Sequence, residues 1–496
     1  MAQPSDPSSG AAAATDSPWL RSSATEMAEA LRQGRVTARR LVDLHIARIE
    51  AVNPRLNAVV VARFDAARAE ADAADARRAA ADPDTVLPPL LGVPCTLKEN
   101  FAFAGLPQTS GLVQRARRIA EQDAPTVARL RAAGAIPLCT TNVPELCMWM
   151  ETHNRLYGRT NNPYDPRRIV GGSSGGEGAI VGAGGAPFGL GADVGGSIRF
   201  PAFFNGVFGH KPTPGIVPNS GQMPEPQGAM NRNCVTGPIS RRAGDLWPLM
   251  RILAGADGRD PECHGRLTGD PATVDLSALP VVSIVDDGRH RVQRDLRHAQ
   301  AGAAQWLGEQ GGGLRHIRPA SLRHAFEIWS TLMQEAGPEA FAAQLGEGTP
   351  IAVGRELFKW SLRRSPHTLP ALALAGAEKL PMPRRRFLRM AESLRQELLD
   401  AIGDGVLLYP PYSSPAPRHN VPMLRVFHFA YCGLFNVLGF PSTAVPLGLN
   451  ARGLPLGTQV IAAPGRDHVC VAVAEGLEQG FGGWVPPWTV RNGRAL

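Results

Sequence analysis

The chain has 496 residues, 44% of them hydrophobic and 19% charged, with a formal net charge of +8. This is the composition of a globular protein with a large core, and Gly plus Pro, about a fifth of the chain, stays below the roughly 25–30% of low-complexity disorder. A chain disordered throughout, a collagen and a coiled coil are excluded, and because 48 of the 52 basic residues are arginines spread along the sequence, no nucleic-acid partner is expected.

Residues 1–18 are small and polar and predict a disordered tail. Residues 24–50 predict two helices. Thr25 can cap the first and Gly34 end it; Thr37 can cap the second, which carries the stripe Leu41, Leu44, Ile46 and Ile49 and stops at Asn53-Pro54. An alanine-rich charged helix over 62–82 reads as solvated. Short apolar strands at 91–97 and 136–139 flank a helix at 125–133. Glycine is dense from 157 to 245, which predicts mostly loop and tight turn. Further on come a strand at 279–285, helices over 320–402, strands at 406–409 and 459–461, and a closing helix at 468–479. Alternating strands and helices without a linker or a repeat predict one large α/β domain over 19–496, with a sheet as its spine.

Seven cysteines, an odd number without a CxxC pair, predict a reducing compartment and a cytoplasmic protein. The twelve histidines form no HExxH or Cys/His cluster, so neither a metal nor a cofactor is expected. The sequence contains no apolar run of about 20 residues to cross a bilayer.

The stretch most telling of chemistry is 171–202, GGSSGGEGAIVGAGGAPFGLGADVGGSIRFPA. A phosphate cradle would need a GK[ST] or a helix-opening GxGxxG, and neither is present. Gly171–Gly175 satisfies GxSxG, but the residues before it give only two usable strand positions for a nucleophile elbow. A glycine-rich packing loop would not explain the second serine-bearing cluster, Gly195-Gly196-Ser197.

The whole run resembles the amidase signature, position by position. The lysine strand 91–100 (LGVPCTLKEN), Thr141–Pro144, Gly209–Thr213 and the C-terminal segments 439–446 and 453–457 also match family segments. The match is tight over 90–245, the signature core, and weak over 290–400. Within the family the likeness is to the fatty-acid amide hydrolases, their second isoform especially, with Glu177 where most amidases have serine. The resemblance implies a mixed twisted sheet flanked by helices and hydrolysis of carboxylic amides through an acyl-enzyme, without a cofactor.

By the same resemblance Ser197 is the nucleophile, Ser173 the bridging serine after a cis peptide, and Lys98 the general base. A lysine base has to be neutral, which burial or a nearby positive charge can bring about; arginine stays protonated. In a chain that otherwise uses arginine, a lysine closing an apolar strand fits that demand. Val194, Gly195, Gly196 and Ser197 would offer backbone N–H groups to the oxyanion. Ser174 would hold a partner or serve a plain turn. Asp193 and Arg199 would brace the loop as an ion pair, with Arg199 as a ligand for a substrate carboxylate the alternative. Cys147 occupies the position whose carbonyl meets the leaving amine in the family.

The helical region 320–400 would set specificity. Its aromatic and aliphatic residues, set among Arg363, Arg364 and Arg384–Arg386, would line an acyl channel, touch anionic lipid, or form core or a homodimer interface. The substrate is expected to be a small-molecule amide that is hydrophobic, with a fatty-acyl or aryl group. The rival reading is the amidase subunit of a glutamine-dependent tRNA amidotransferase.

Overall fold

A computed structural model describes residues 17–82, 84–337, 340–378, 384–491 and 494–495. Of the expected tail, residues 1–16 lie outside the described residues, while Pro18 opens a 3₁₀ turn ending at the buried Leu20.

The N-terminal periodicity gives α1 (Ala24–Arg32) and α2 (Ala38–Leu56). Ser23, not Thr25, caps α1. Its Oγ accepts the Glu26 N–H at 2.9 Å and Glu26 Oε2 accepts the Ser23 N–H at 2.7 Å, a reciprocal capping box. Thr25 instead donates to Asp245. Thr37 caps α2 through the Arg40 N–H. Pro54 does not stop α2: the left-handed Asn57 closes the last turn by donating its N–H to Asn53 O at 2.7 Å. After β1 (Val59–Ala62) comes α3 (Phe64–Ala79), which is not fully solvated, because Ala67, Ala71 and Ala74 are buried where it packs on α2 and on β3 (Ile136–Thr141). Between them lie β2 (Pro94–Lys98) and α4 (Pro125–Ala132). A small hairpin, β4 (His153–Asn154) and β5 (Gly158–Arg159), follows.

The glycine-dense stretch is far more regular than expected. It holds α5 (Gly175–Gly182), β6 (Phe188–Asp193), α6 (Arg199–Phe204), β7 (Phe208–Lys211) and β8 (Val235–Ser240). Glycine here buys closeness rather than turns. A Cβ on Gly178 would lie 2.7 Å from Pro201 O, so α5 and α6 pack at a distance that only glycine permits. Burial of the whole of α5 outweighs its poor helix propensity.

The remaining elements are α7 (Leu246–Leu253), β9 (Val281–Ser283), α8 (Arg294–Glu309), β10 (Leu314–His316), α9 (Ala325–Glu335), α10 (Phe341–Leu345), α11 (Val353–Ser361), α12 (Leu369–Ala377), α13 (Arg384–Ile402), β11 (Val406–Tyr409), α14 (Ala430–Val437), β12 (Ser442–Leu449), β13 (Pro455–Ile461) and α15 (Asp467–Phe481). Among the described residues eleven strands form one mixed sheet, ordered β1-β3-β2-β6-β8-β7-β12-β13-β11-β9-β10. The joints β3–β2, β2–β6, β11–β9 and β9–β10 are parallel and the others antiparallel. The fold is α/β, one sheet with helices on both faces. Period-2 alternation feeds both: Val281, Val406, Leu408 and Val460 join the core under α2, α7 and α15, while Val282, Leu407, Tyr409 and Ile461 join the core under α9, α13 and α14. Among the described residues no helix is long and apolar enough to cross a membrane.

Replacing Ser23 by Ala should cost about 1 kcal/mol by opening the capping box, read from the urea-unfolding midpoint.

Candidate active site

The parallel strands β3, β2 and β6 end side by side, and their last residues, Thr141, Lys98 and Asp193, meet at one edge of the sheet. Ligand sites in parallel sheets form at such carboxyl ends. Lys98 is 1% exposed and its Nζ donates to Ser173 Oγ at 2.8 Å. The Gly172–Ser173 peptide is cis. Ser174 is a fastener. Its N–H donates to Ser197 O at 3.1 Å, and its Oγ both donates to Ala192 O at 3.2 Å and accepts the Ala192 N–H at 3.3 Å. The turn carrying Ser173 is thereby tied to the turn carrying Ser197. Exposure rises along the series, from 1% at Lys98 and 2% at Ser173 to 7% at Ser197, so Ser197 is the member solvent reaches most.

The turn Asp193–Ser197 is braced from beneath. Asp193 Oδ1 accepts the Gly196 N–H at 2.7 Å, and Oδ2 accepts the N–H groups of Ile198 at 3.0 Å and Arg199 at 3.3 Å. Arg199 grips the same carboxylate through Nε and Nη2, each at 3.0 Å. Its Nη1 donates to Cys432 O at 2.9 Å and Gln459 Oε1 at 3.0 Å. Burial alone would push the Asp193 carboxyl up, but the Arg199 charge and hydrogen bonds, joined by the N–H groups of Ile198 and Gly196, hold it well below the usual carboxylate range. Arg199 is fully buried with its nitrogens turned inward, which removes it as a ligand for a substrate carboxylate.

Of the N–H groups expected to face an oxyanion, that of Gly196 is already committed to Asp193. Those of Val194, Gly195 and Ser197 have no partner among the described residues. Gly196 has φ +116°, and a Cβ there would lie 2.4 Å from the Phe200 ring and 2.7 Å from Cys432 Cβ, so the turn needs glycine at this point. Cys147 ends the turn Glu145–Cys147 with φ +58°, its Sγ 3.6 Å from Ser110 Oγ. Glu145 anchors that turn to the start of α12, accepting from His367 Nδ1 at 2.6 Å and from the N–H and Oγ1 of Thr368 at 2.8 and 2.9 Å.

Asn436, Phe427 and Phe429 were not singled out from sequence, whereas Trp329 and Phe326 belong to the 320–400 region expected to line an acyl channel or to form core. Asn436, on α14, donates to Asp193 O at 2.9 Å and to Asp193 Oδ1 at 3.0 Å. A lone asparagine in the apolar run AYCGLFNV was its only sequence signal. Trp329 donates to Val194 O at 3.2 Å, and a Cβ on Gly195 would lie 3.6 Å from Phe429 and 3.7 Å from Trp329. Trp329 packs edge-on against Phe429 at 4.6 Å, and Phe326 links Phe429 to the part-exposed Phe427.

The Amidase family model matches residues 40–471. The chain belongs to the amidase family. It is 44% identical over 490 residues to Fatty-acid amide hydrolase 2 of Homo sapiens, covering 95% of this chain and 91% of the relative. It is 32% identical over 475 residues to Indoleacetamide hydrolase of Bradyrhizobium diazoefficiens (93% and 86%), and 30% identical over 480 residues to a Glutamyl-tRNA(Gln) amidotransferase subunit of Roseiflexus sp. (91% and 94%). Among solved structures it superposes on Fatty acid amide hydrolase with a TM-score of 0.78 over 94% of this chain and 86% of that one; at 22% identity this is a likeness of fold. It superposes on 6-aminohexanoate cyclic dimer hydrolase complexed with substrate with a TM-score of 0.77 at 26% identity, over 93% and 97%. The amidase is therefore an amide hydrolase.

Substituting Arg199 by Met should cost about 3–5 kcal/mol in urea-unfolding stability at pH 7, because it strands the buried Asp193 carboxylate. In the native protein the Asp193 contribution is fully present above about pH 4, the unfolded carboxylate value, and is lost only as pH falls through its lower folded value in strong acid.

Proposed function

We propose that the amidase cleaves hydrophobic carboxylic amides, fatty-acyl or aryl, with Ser197 as nucleophile, Ser173 as proton relay and Lys98 as base. The observation that carries the reading is the Lys98–Ser173 hydrogen bond, buried behind the more accessible Ser197. An amide is a poor electrophile with a poor leaving group, so cleavage needs an activated nucleophile, an oxyanion site and a proton for the amine. Ser197 Oγ attacks the carbonyl carbon. Its proton passes to Ser173 Oγ as the Ser173 proton passes to Lys98 Nζ. The oxyanion is received by the N–H groups of Val194, Gly195 and Ser197, while Gly196 keeps the turn in shape through Asp193. The C–N bond then breaks as Lys98 returns its proton through Ser173 to the amine nitrogen. The ester left on Ser197 is hydrolysed by water, activated through the same relay. The Cys147 carbonyl stands as the acceptor for the leaving amine's N–H.

The aromatic wall of Trp329, Phe429, Phe326 and Phe427 supports an apolar acyl group. It begins against Gly195 and ends at the part-exposed Phe427. The exposed Phe358 and Leu362, followed in sequence by Arg363 and Arg364, support peripheral contact with a lipid surface. The seven free cysteines suit a reducing compartment such as the cytoplasm. The rival, a glutaminase subunit serving tRNA, requires a pocket for a small polar amide, which this wall does not suit.

Ser197→Ala should abolish turnover while leaving the unfolding midpoint unchanged. Lys98→Ala should be nearly as severe at pH 7 and recover partly at high pH; full activity of either variant at pH 7 contradicts its role. Across primary amides of lengthening acyl chain, assayed without ATP, kcat/KM should rise on the order of a hundredfold for four methylenes, at up to about 0.8 kcal/mol each. A flat series together with glutaminase activity would favour the rival.

A further inference from the structure

Glu177 is a fully buried acid that the relay just described does not use. It lies in the first turn of α5, the helix that opens two residues after Ser173. Its Oε2 accepts from Thr96 Oγ1 at 2.5 Å and its Oε1 from Thr141 Oγ1 at 2.8 Å. Both threonines are neighbours of the base. Thr96 lies two residues before Lys98 on β2, on the same face of the strand, and Thr141 is the residue of β3 paired with Lys98. The seat is built for a carboxyl: a Cβ on Gly189 of β6 would lie 1.7 Å from Glu177 Oε2 and 2.8 Å from Thr96 Oγ1.

We propose that Glu177 is a positioning residue for the base: seated by Thr96 and Thr141, its carboxylate steadies the positive charge that Lys98 carries between taking the Ser197 proton and returning it to the leaving amine. The inference rests on the relay reading above. It adds what that reading lacks, a counter-charge for an ammonium formed in a dry site. No atom is transferred to or from Glu177; the proton moves only among Ser197, Ser173, Lys98 and the amine nitrogen.

The surroundings leave Lys98 as the cation that answers it. From β2 the ionisable side chains acting with Glu177 are Lys98 and the Cys95 thiol, and from β3 the Cys139 thiol; β6 presents Gly189, which has none. Both thiols are pushed well up by burial and by the Glu177 charge, and stay neutral. Arg63 and Glu70 act on Cys95 from farther out, paired with each other. Burial pushes the Glu177 carboxyl up to about 8, while the Thr96 and Thr141 donors and the Lys98 charge pull it down. Its charged form therefore prevails above about pH 8, in the alkaline part of the range in which a lysine base works.

The test is the pH dependence of kcat/KM for one amide, from pH 6 to 10, in the native protein and in Glu177→Gln. Loss of the carboxylate favours the neutral amine, so the acid limb should move down by about one pH unit. At the plateau kcat should fall at least tenfold, with KM little changed, because the ammonium formed in the reaction has lost its counter-charge. A merely structural role would lower activity evenly and leave the limb in place, and an unmoved limb overturns the inference. Thr141→Val keeps the carboxyl and removes one donor; it should move the limb in the same direction by less, and serves as the test if Glu177→Gln does not fold. Lys98→Ala separates the two claims. If it retains the limb at its native position, the relay reading fails; if it loses that limb, keeping only the partial recovery at high pH, and Glu177→Gln leaves the native limb unmoved, only the role of Glu177 fails.

Discussion

A lysine kept dry at the end of a central strand is the constraint around which the site is arranged. The Lys98 amine has almost no water, and its hydrogen bond to Ser173 gives it a partner within the protein. That bond requires the Ser173 turn to reach β2, which sets how closely α5 must lie against the sheet. The closeness explains the composition of the region. Gly178 admits Pro201 of α6, and Gly189 admits the Glu177 carboxyl; side chains at these points would hold the elements apart. A stretch that looks too rich in glycine to be regular is regular because glycine lets helix and strand backbones approach.

A second buried interaction shapes the far side of the site. The Asp193–Arg199 pair is fully enclosed, and each partner also holds groups remote in the chain: Asn436 and Gln459 lie more than 200 residues downstream. A buried ion pair contributes little net stability against an apolar replacement, but it fixes geometry when all its hydrogen bonds are met. Here it fixes the turn Asp193–Ser197, engaging one N–H and leaving three turned away from it. The order of the turn thus comes from a network behind it, and three of its N–H groups have no partner among the described residues.

Much of this was legible in the sequence. The α/β alternation, the apolar strand ending at Lys98 and the two serine clusters stand out because their residue types are demanding: a lysine in an arginine-using chain, serines among glycines, an acid and an arginine six residues apart. What stayed hidden depends on contacts between distant segments. The Gly196 N–H looked like its neighbours until the position of the Asp193 carboxylate was known. Trp329 read as one aromatic of a helical region, and only folding sets it against Gly195. The cap of α1 passed from Thr25 to Ser23 because Asp245, 220 residues away, claims the threonine. Local pattern carried the elements, and tertiary hydrogen bonding decided their ends.

The central claim is that one of two neighbouring serines becomes acylated while the other only relays a proton. The direct measurement is covalent: treat the protein with an alkyl fluorophosphonate, digest it and locate the phosphonyl group by mass spectrometry. The account predicts a single adduct on the peptide carrying Ser197, with Ser173 unmodified. An adduct on Ser173, or on a serine outside the 171–202 segment, would contradict it.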